Sequence, residues 1–354
     1  MLVILRPSGL LYGDDAQAAL DQGKAFALAG SDIAFTQVEY ARRAGGKILE
    51  RRRVTADELA TLASFDGYTR ERLDFLICPR PPLAGLSFEH PRISGILNVT
   101  PDSFSDGGHF LSLDNALGQA RKLKADGADI LDIGGESTRP GAERISIQEE
   151  IDRVIPVIER LGQEGLGPLS IDTRNAEVMT AAIAAGAELI NDVSALAHDS
   201  DSLAVAAASG LPVILMHAQG TPGTMQKEPV YEDVVLDVFA MLESGIRAAG
   251  DAGIDRSRII VDPGIGFGKT KDHNIALLQA LSVFHGLGCP VMLGASRKSF
   301  MKDLPGGSAP EDRVPGTIAA TLWGMAQGVQ IHRVHDVVQV KQAMTLQGNL
   351  TSHR

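Results

Sequence analysis

Eight short apolar runs, each broken off by a polar or charged residue, mark the sequence from residue 95 onward. They are Gly95–Asn98, Asp129–Gly134, Leu169–Thr173, Leu189–Asp192, Val213–His217, Ile259–Pro263, Val291–Lys298 and Val329–His335. A continuous apolar run of this length suits a strand covered on both faces, as in a parallel sheet. Polar groups at the same end of eight such strands converge on one spot. That is the layout of a (β/α)8 TIM barrel with its chemistry at the C-terminal mouth.

The segments between the runs read as helices over 112–126, 147–163, 175–185, 201–209, 231–252, 271–285, 311–327 and 336–346. Several close on a glycine (Gly127, Gly186, Gly210, Gly328), as helix C-caps do. Strand–helix alternation calls for right-handed βαβ units, and eight of them favour closure. An open doubly wound sheet is the alternative. The prolines in Cys78–Gly85 make a stiff, non-regular connector. The expected division is residues 1–88 as a small α+β extension and 89–354 as the barrel. Within the extension, 3–5 and 33–40 read as strands. Thr55-Ala-Asp-Glu58 is a capping-box pattern opening a helix through Leu62. Arg51–Arg53 reads as a solvated strand end.

With 354 residues, 44% hydrophobic and 22% charged, the chain is long enough for a barrel plus a smaller unit. A formal net charge of −11 argues against a general nucleic-acid or anionic-membrane binder. No apolar stretch reaches membrane-spanning length, and the start is too short for a signal peptide's apolar region. Cys78 and Cys289 form no disulfide framework or metal spacing. A cytoplasmic location is expected.

The strand ends carry the candidate chemistry. The first run continues through Asn98 into Thr-Pro-Asp-Ser-Phe-Ser-Asp-Gly-Gly108, more polar than a plain connector needs. The second leads into Gly134-Gly-Glu-Ser-Thr-Arg-Pro-Gly141, where glycines and an arginine could form an anion-binding loop. Asp262-Pro-Gly-Ile-Gly-Phe-Gly-Lys-Thr270 resembles a phosphate-binding loop of nucleotide triphosphatases, but Pro263 stands where that pattern requires glycine. A Gly-rich turn admitting a planar ligand fits better. Arg333 and His335, at the start of the last helix, suit a phosphate. Asp172, Asn191 and Asp262 need donors or cations if buried, and a heterocycle with ring N–H and amino groups supplies them. No His–His spacing suits zinc.

Together these motifs closely resemble the dihydropteroate synthase family, from about Pro91 to the C-terminus. The resemblance rests on the stretches 98–108, 134–141, 171–173, 191–192, 216–220, 262–269, 296–298 and 333–336. It implies that para-aminobenzoate (4-aminobenzoate) displaces pyrophosphate from 6-hydroxymethyl-7,8-dihydropterin pyrophosphate, with Mg²⁺ assisting and sulfonamides competing. It also implies a homodimer. By this resemblance Asp172, Asn191, Asp262 and Lys298 hold the pterin, with Met216 and Phe267 against it. Asn98 is the Mg²⁺ ligand. Arg333, His335 and Thr138 bind the pyrophosphate. Phe104, Arg139, Pro140, Phe267, Lys298 and Ser299 line the aminobenzoate slot. An S_N1-like path is expected, its cation shielded by the loops 100–108 and 137–141 and stabilised by Asp106. The catalytic set is thus Lys298, Asp106, Arg333 and His335. Lys269 and Thr270 read as a helix start, and His217 as scaffold. Trp323 and Met325 belong either to a dimer face or to an ordinary buried helix face. Two other readings stand beside the synthase: a pterin-barrel methyltransferase, which needs no pyrophosphate site, and a non-catalytic pterin-binding paralogue. The resemblance says nothing about the N-terminal extension.

Overall fold

The computed structural model describes residues 1–100, 109–136, 145–220 and 229–351, except the side chains of 109–112. The chain opens with a small α+β unit. Its strands are β1 (Leu2–Leu11), β2 (Phe26–Ala27), β3 (Ala34–Ala44) and β4 (Lys47–Thr55). All pair antiparallel, with β3 flanked by β1 on one side and by β2 and β4 on the other. Helices α1 (Gly13–Asp21), α2 (Ala56–Phe65) and α3 (Gly67–Ile77) complete it. The capping box is formed: the Thr55 hydroxyl accepts from the Glu58 amide, and the Glu58 carboxylate accepts from the Thr55 amide. A core of Val3, Leu5, Leu28, Phe35, Val38, Leu59 and Leu76 holds the sheet to the helices.

The rest is the barrel. Its strands are β5 (Arg92–Asn98), β6 (Ile130–Gly134), β7 (Leu169–Asp172), β8 (Leu189–Asp192), β9 (Val213–Met216), β10 (Ile259–Asp262), β11 (Met292–Leu293) and β12 (Ile331–Val334). They pair in parallel in the order β10-β9-β8-β7-β6-β5-β12-β11. A parallel bridge between Val261 and Val291 closes the ring. The intervening helices are α4 (His109–Ala125), α5 (Ile147–Gln163), α6 (Ala176–Ala185), α7 (Ser202–Ser209), α8 (Val234–Asp251), α9 (Lys271–Gln279), α10 (Val314–Met325) and α11 (Val337–Thr351). Gly186 and Gly210 take left-handed C-cap conformations.

Bounds shift at several ends, as where α11 runs on to Thr351, but two barrel elements change in kind. The helix expected over 271–285 ends at Gln279 and becomes 3-10 backbone from Leu281 to Leu287, buried throughout. This segment lies under the N-terminal unit: Ser282 donates to the Pro7 carbonyl, and Arg72 donates to that of Gly286. The seventh apolar run keeps only two residues in the ladder to β12, with Val291 bridging to Val261. Its chain leaves the ladder and reaches a left-handed conformation at Arg297 (φ 54°), where the side chain pairs with Asp336.

The proline-rich connector has a structural job. Leu83 and Leu86 exchange backbone hydrogen bonds in a tight turn. Leu83, with Ala84, Leu86 and Phe88, packs against Ile130, Leu189, Ile214, Ile260, Met292 and Ile331. Those are residues at the strand starts, so an apolar plug seals the N-terminal end of the barrel.

Candidate active site

Strand register sets the site. Asn98 lies opposite Gly134, Gly134 opposite Asp172, and Asp172 opposite Asn191. Four strands therefore end in one row at the mouth. Met216 and Asp262 are partners at the ends of β9 and β10. Asn191, Asp262 and Met216 are buried. Such polar groups persist inside a barrel only when paired.

The pairing centres on Arg333. Its Nε donates to Asp132 Oδ2 at 2.5 Å and its Nη2 to Asp172 Oδ2 at 2.6 Å. Asn191 Nδ2 donates to Asp132 Oδ2 at 3.1 Å. One guanidinium thus serves two carboxylates and is held in its charged form by both. Burial raises the acid of Asp172 to about 7; Arg333 opposes that shift and the charge of Asp132 adds to it. Burial also raises Asp262, against the hydrogen bond from the Gly264 amide to its Oδ1 at 2.7 Å. Lys298 is pulled down to about 8, by burial first and then by the nearby Arg333 charge. Its Nζ stands 4.0 Å from the centre of the Phe267 ring, a cation–π contact. The mouth is therefore a low-dielectric pocket of carboxylates and cations, suited to a flat ligand that offers donors on one edge and acceptors on another.

His335 follows β12 and shares a hydrogen bond of 3.0 Å between its Nδ1 and the Ser296 hydroxyl, which also accepts from the His335 amide. Asp172, expected on the pterin, and Arg333, expected on the pyrophosphate, are bonded to each other, so the two ends of the site meet at one side chain. Ser299 is exposed, in a 3-10 turn just after Lys298. Phe104, Asp106, Thr138, Arg139 and Pro140 lie outside the described residues. Among the described residues no group of three His, Cys, Asp or Glu side chains could hold a metal. A dedicated protein cage is therefore absent there. A single amide oxygen from half-buried Asn98 fits Mg²⁺, which keeps its waters and leans on substrate phosphates.

Sequence reasoning passed over Asp132, the acceptor for both Arg333 and Asn191. Its signal was a carboxylate in the middle of the otherwise apolar run 130–134. It also passed over the pair of Glu136 with Arg174, both shielded, which ties the base of the β6 loop to the end of β7. Lys269 and Thr270 separate in role. Thr270 caps α9, with His273 completing its capping box, while Lys269 is 2% exposed and points inward to His217. Trp323 is half exposed, and its indole N–H donates to the Leu278 carbonyl.

The model of the pterin-binding enzymes matches residues 94–335. Dihydropteroate synthase of Bacillus subtilis is 48% identical over 255 residues, covering 71% of this chain and 86% of that protein. The Escherichia coli enzyme of the same name is 44% identical over 259 residues, covering 73% and 91%. Among solved structures, Xanthomonas albilineans dihydropteroate synthase with 4-aminobenzoic acid superposes with a TM-score of 0.72 at 46% identity, covering 76% of this chain and 96% of that one. The same enzyme in complex with 7,8-dihydropteroate gives 0.69 at 43%, covering 76% and 97%. With the family model spanning the barrel and relatives of this identity along it, the chain belongs to the dihydropteroate synthase family of pterin-binding enzymes.

Proposed function

We infer that the chain condenses 6-hydroxymethyl-7,8-dihydropterin pyrophosphate with 4-aminobenzoate, giving 7,8-dihydropteroate and pyrophosphate. The observation that carries this reading is the Asp132–Arg333–Asp172 triad, set beside Asn191, Asp262 and Lys298 in a barrel of this family. Asp262 accepts from the pterin amino group and ring N–H, with Asp172 and Asn191 on neighbouring edges. Lys298 donates to the ring carbonyl side. Met216 and Phe267 supply apolar contact. Arg333, anchored through Nε and Nη2, turns its remaining nitrogen to the pyrophosphate beside His335, with Thr138 contributing.

The methylene C–O bond breaks and its electron pair leaves with pyrophosphate. The electron-rich dihydropterin shares the positive charge left on the methylene. The aminobenzoate nitrogen then forms the C–N bond and sheds a proton to solvent. The fixed charge of Arg333 and the imidazole of His335, held by Ser296, stabilise the leaving charge without reorganising. Asn98 would hold Mg²⁺, which when bound neutralises charge on the pyrophosphate oxygens. We assign Phe104, Arg139, Pro140, Phe267, Lys298 and Ser299 to the aminobenzoate slot, and Asp106 to stabilising the cation. Sulfonamide inhibition belongs to the same slot; a sulfonamide drug complex is known for the Yersinia pestis enzyme.

A pterin-barrel methyltransferase would not need the phosphate-facing set, and a silent paralogue would not turn over. One assay separates the three. Pyrophosphate release that depends on 4-aminobenzoate supports the synthase. Release absent with pterin binding retained supports the paralogue. Methyl transfer from a reduced folate to a corrinoid supports the methyltransferase. Lys298→Ala and Asp262→Asn should each lower kcat/KM by at least about a hundredfold, Asp262→Asn by weakening pterin binding.

A homodimer is part of the proposal. Trp323 on α10 and Val338, Leu346 and Leu350 on α11 leave apolar surface exposed, and the two helices pack together. Light scattering at working concentration checks it, and a monomeric mass refutes it. Among the described residues no helix is long and apolar enough to cross a membrane, and both cysteines are free thiols, which supports a cytoplasmic enzyme. Residues 1–88 are proposed as a brace for the barrel.

A further inference from the structure

The loop from β10 to α9 carries three glycines with positive φ, Gly264, Gly266 and Gly268. It rests directly on the chain leaving β9. A Cβ on Gly264 would stand 1.9 Å from the His217 carbonyl oxygen, and one on Gly268 would stand 2.5 Å from that of Gln219. Lys269 lies inside this contact. Its Nζ donates to the Gly264 carbonyl at 2.8 Å, the Phe267 carbonyl at 2.9 Å and His217 Nδ1 at 2.8 Å, with the His217 carbonyl at 3.3 Å. Three close acceptors match the three protons of the amine in its charged form, whose pKa burial brings down to about 7. His217 therefore presents Nδ1 as acceptor and keeps its proton on Nε2, 3.2 Å from Met241 Sδ. Two outer pins complete the hold. Asn274 Oδ1 accepts from the Gly266 amide, and the Tyr231 hydroxyl donates to the Gly268 carbonyl, each at 2.7 Å.

What the loop carries is the pterin grip. Gly264 donates to Asp262, Phe267 lies against the Lys298 ammonium, and Gly266 passes so close that a Cβ would meet Lys298 Cδ at 3.0 Å. Two of the side chains assigned to the pterin, Asp262 and Lys298, are set against this one turn.

We propose that Lys269 is a positioning residue: through the carbonyls of Gly264 and Phe267 and the ring of His217, it fixes the loop that aims Asp262 and Lys298, without itself touching substrate. The functional half of this inference rests on the pterin-binding reading of the mouth. Methionine at 269 would fill similar space but leave every one of these acceptors without its donor. The loop would then relax rather than collapse.

The test compares wild type, Lys269→Met and Lys269→Gln in the full chain. It uses amide hydrogen exchange of the 262–270 peptide and steady-state kinetics with dihydropterin pyrophosphate as the varied substrate. Lys269→Met should speed exchange across Gly264–Gly268 while peptides of β5 to β8 stay protected. It should also raise KM for dihydropterin pyrophosphate about tenfold, with Lys269→Gln between it and wild type. A role confined to folding would lower kcat through fewer active molecules and leave KM alone, and that result overturns the proposal. So does a folded Lys269→Met with KM within about twofold of wild type. If Lys269→Met fails to fold, Tyr231→Phe loosens the same turn from outside and should raise the same KM about threefold, with unchanged KM counting against the idea. Wild type without aminobenzoate-dependent pyrophosphate release would sink the functional reading instead, while the exchange data would still decide whether Lys269 holds the loop.

Discussion

Removing the carboxylate of Asp132 strands two donors at once, Arg333 Nε and Asn191 Nδ2. Asp132→Ala should lower unfolding free energy by about 2 kcal/mol in urea titrations, the cost of leaving buried donors unmet. Turnover should fall at least about tenfold, because Arg333 loses the anchor that orients it. Asp172 gives a pH signature. Its acid sits at about 7, and a pterin's N–H groups need the ionised form. Pterin affinity should therefore be flat above neutrality and fall as pH drops below about 7, and Asp172→Asn should flatten that profile in calorimetric titrations. For the empty protein the sign reverses. The folded state holds this proton between about pH 4 and 7 where the unfolded state has lost it, so the group adds stability as pH falls through that window. Most of the polar row at the mouth was legible because each member ends an apolar run. Asp132 was not, because it sits within a run, and its partners, Arg333 from the far side of β5 and Asn191 on β8, are distant in sequence.

At the scale of elements, helices with a side-chain cap or a glycine stop were read closely: 147–163 matches α5, opened by Ser146, and α6 and α7, closed by Gly186 and Gly210, differ from expectation by one residue at the start. The misses are β11 and the end of α9, where tertiary contacts overrule local pattern. Val291–Lys298 looks like one strand, but its second half turns away at Arg297 to reach Asp336 and send Lys298 into the mouth. Residues 280–287 have an ordinary helical pattern, yet α3 and β1 press on them, and nothing in the local sequence reports a neighbour some two hundred residues away. The glycine turn after β10 was read as admitting a planar ligand, whereas what Gly264 and Gly268 press against is the backbone of His217 and Gln219. Gly264→Ala forces a Cβ into the His217 carbonyl at a φ of +68°. It should abolish pterin binding and lower the melting temperature, whereas Gly118→Ala, on α4 with open space around the added carbon, should leave pterin binding unchanged and raise the melting temperature slightly.

Across the whole molecule, the N-terminal unit and the barrel are joined by buried chemistry rather than by a flexible tether. Arg72 is 3% exposed and meets Glu243 on α8 at 3.3 Å, donates to the Gly286 carbonyl, and lies over the rings of Phe75 and Phe239. Arg80 donates to the His285 carbonyl, and Tyr12 to that of Ala326. Arg72→Ala should cost about 3 kcal/mol or more, since Glu243 would stay buried without its main partner. Deleting residues 1–80 should leave the barrel aggregation-prone, which size-exclusion chromatography reports directly. The prolines of the connector were read as a boundary, but the buried joint across it was not legible, because Arg72 and Glu243 are 171 residues apart and each looks like a solvated helix charge. The leucine plug under the barrel has a kinetic consequence. With the floor closed by Leu83 and its neighbours, ligands come and go at the mouth, where Asp262 and Asn191 are almost fully covered. The heterocycle must board before the aromatic amine and the finished conjugate must clear before the next cycle, so initial-rate patterns should show compulsory order, with free 4-aminobenzoate gaining no foothold in the empty enzyme.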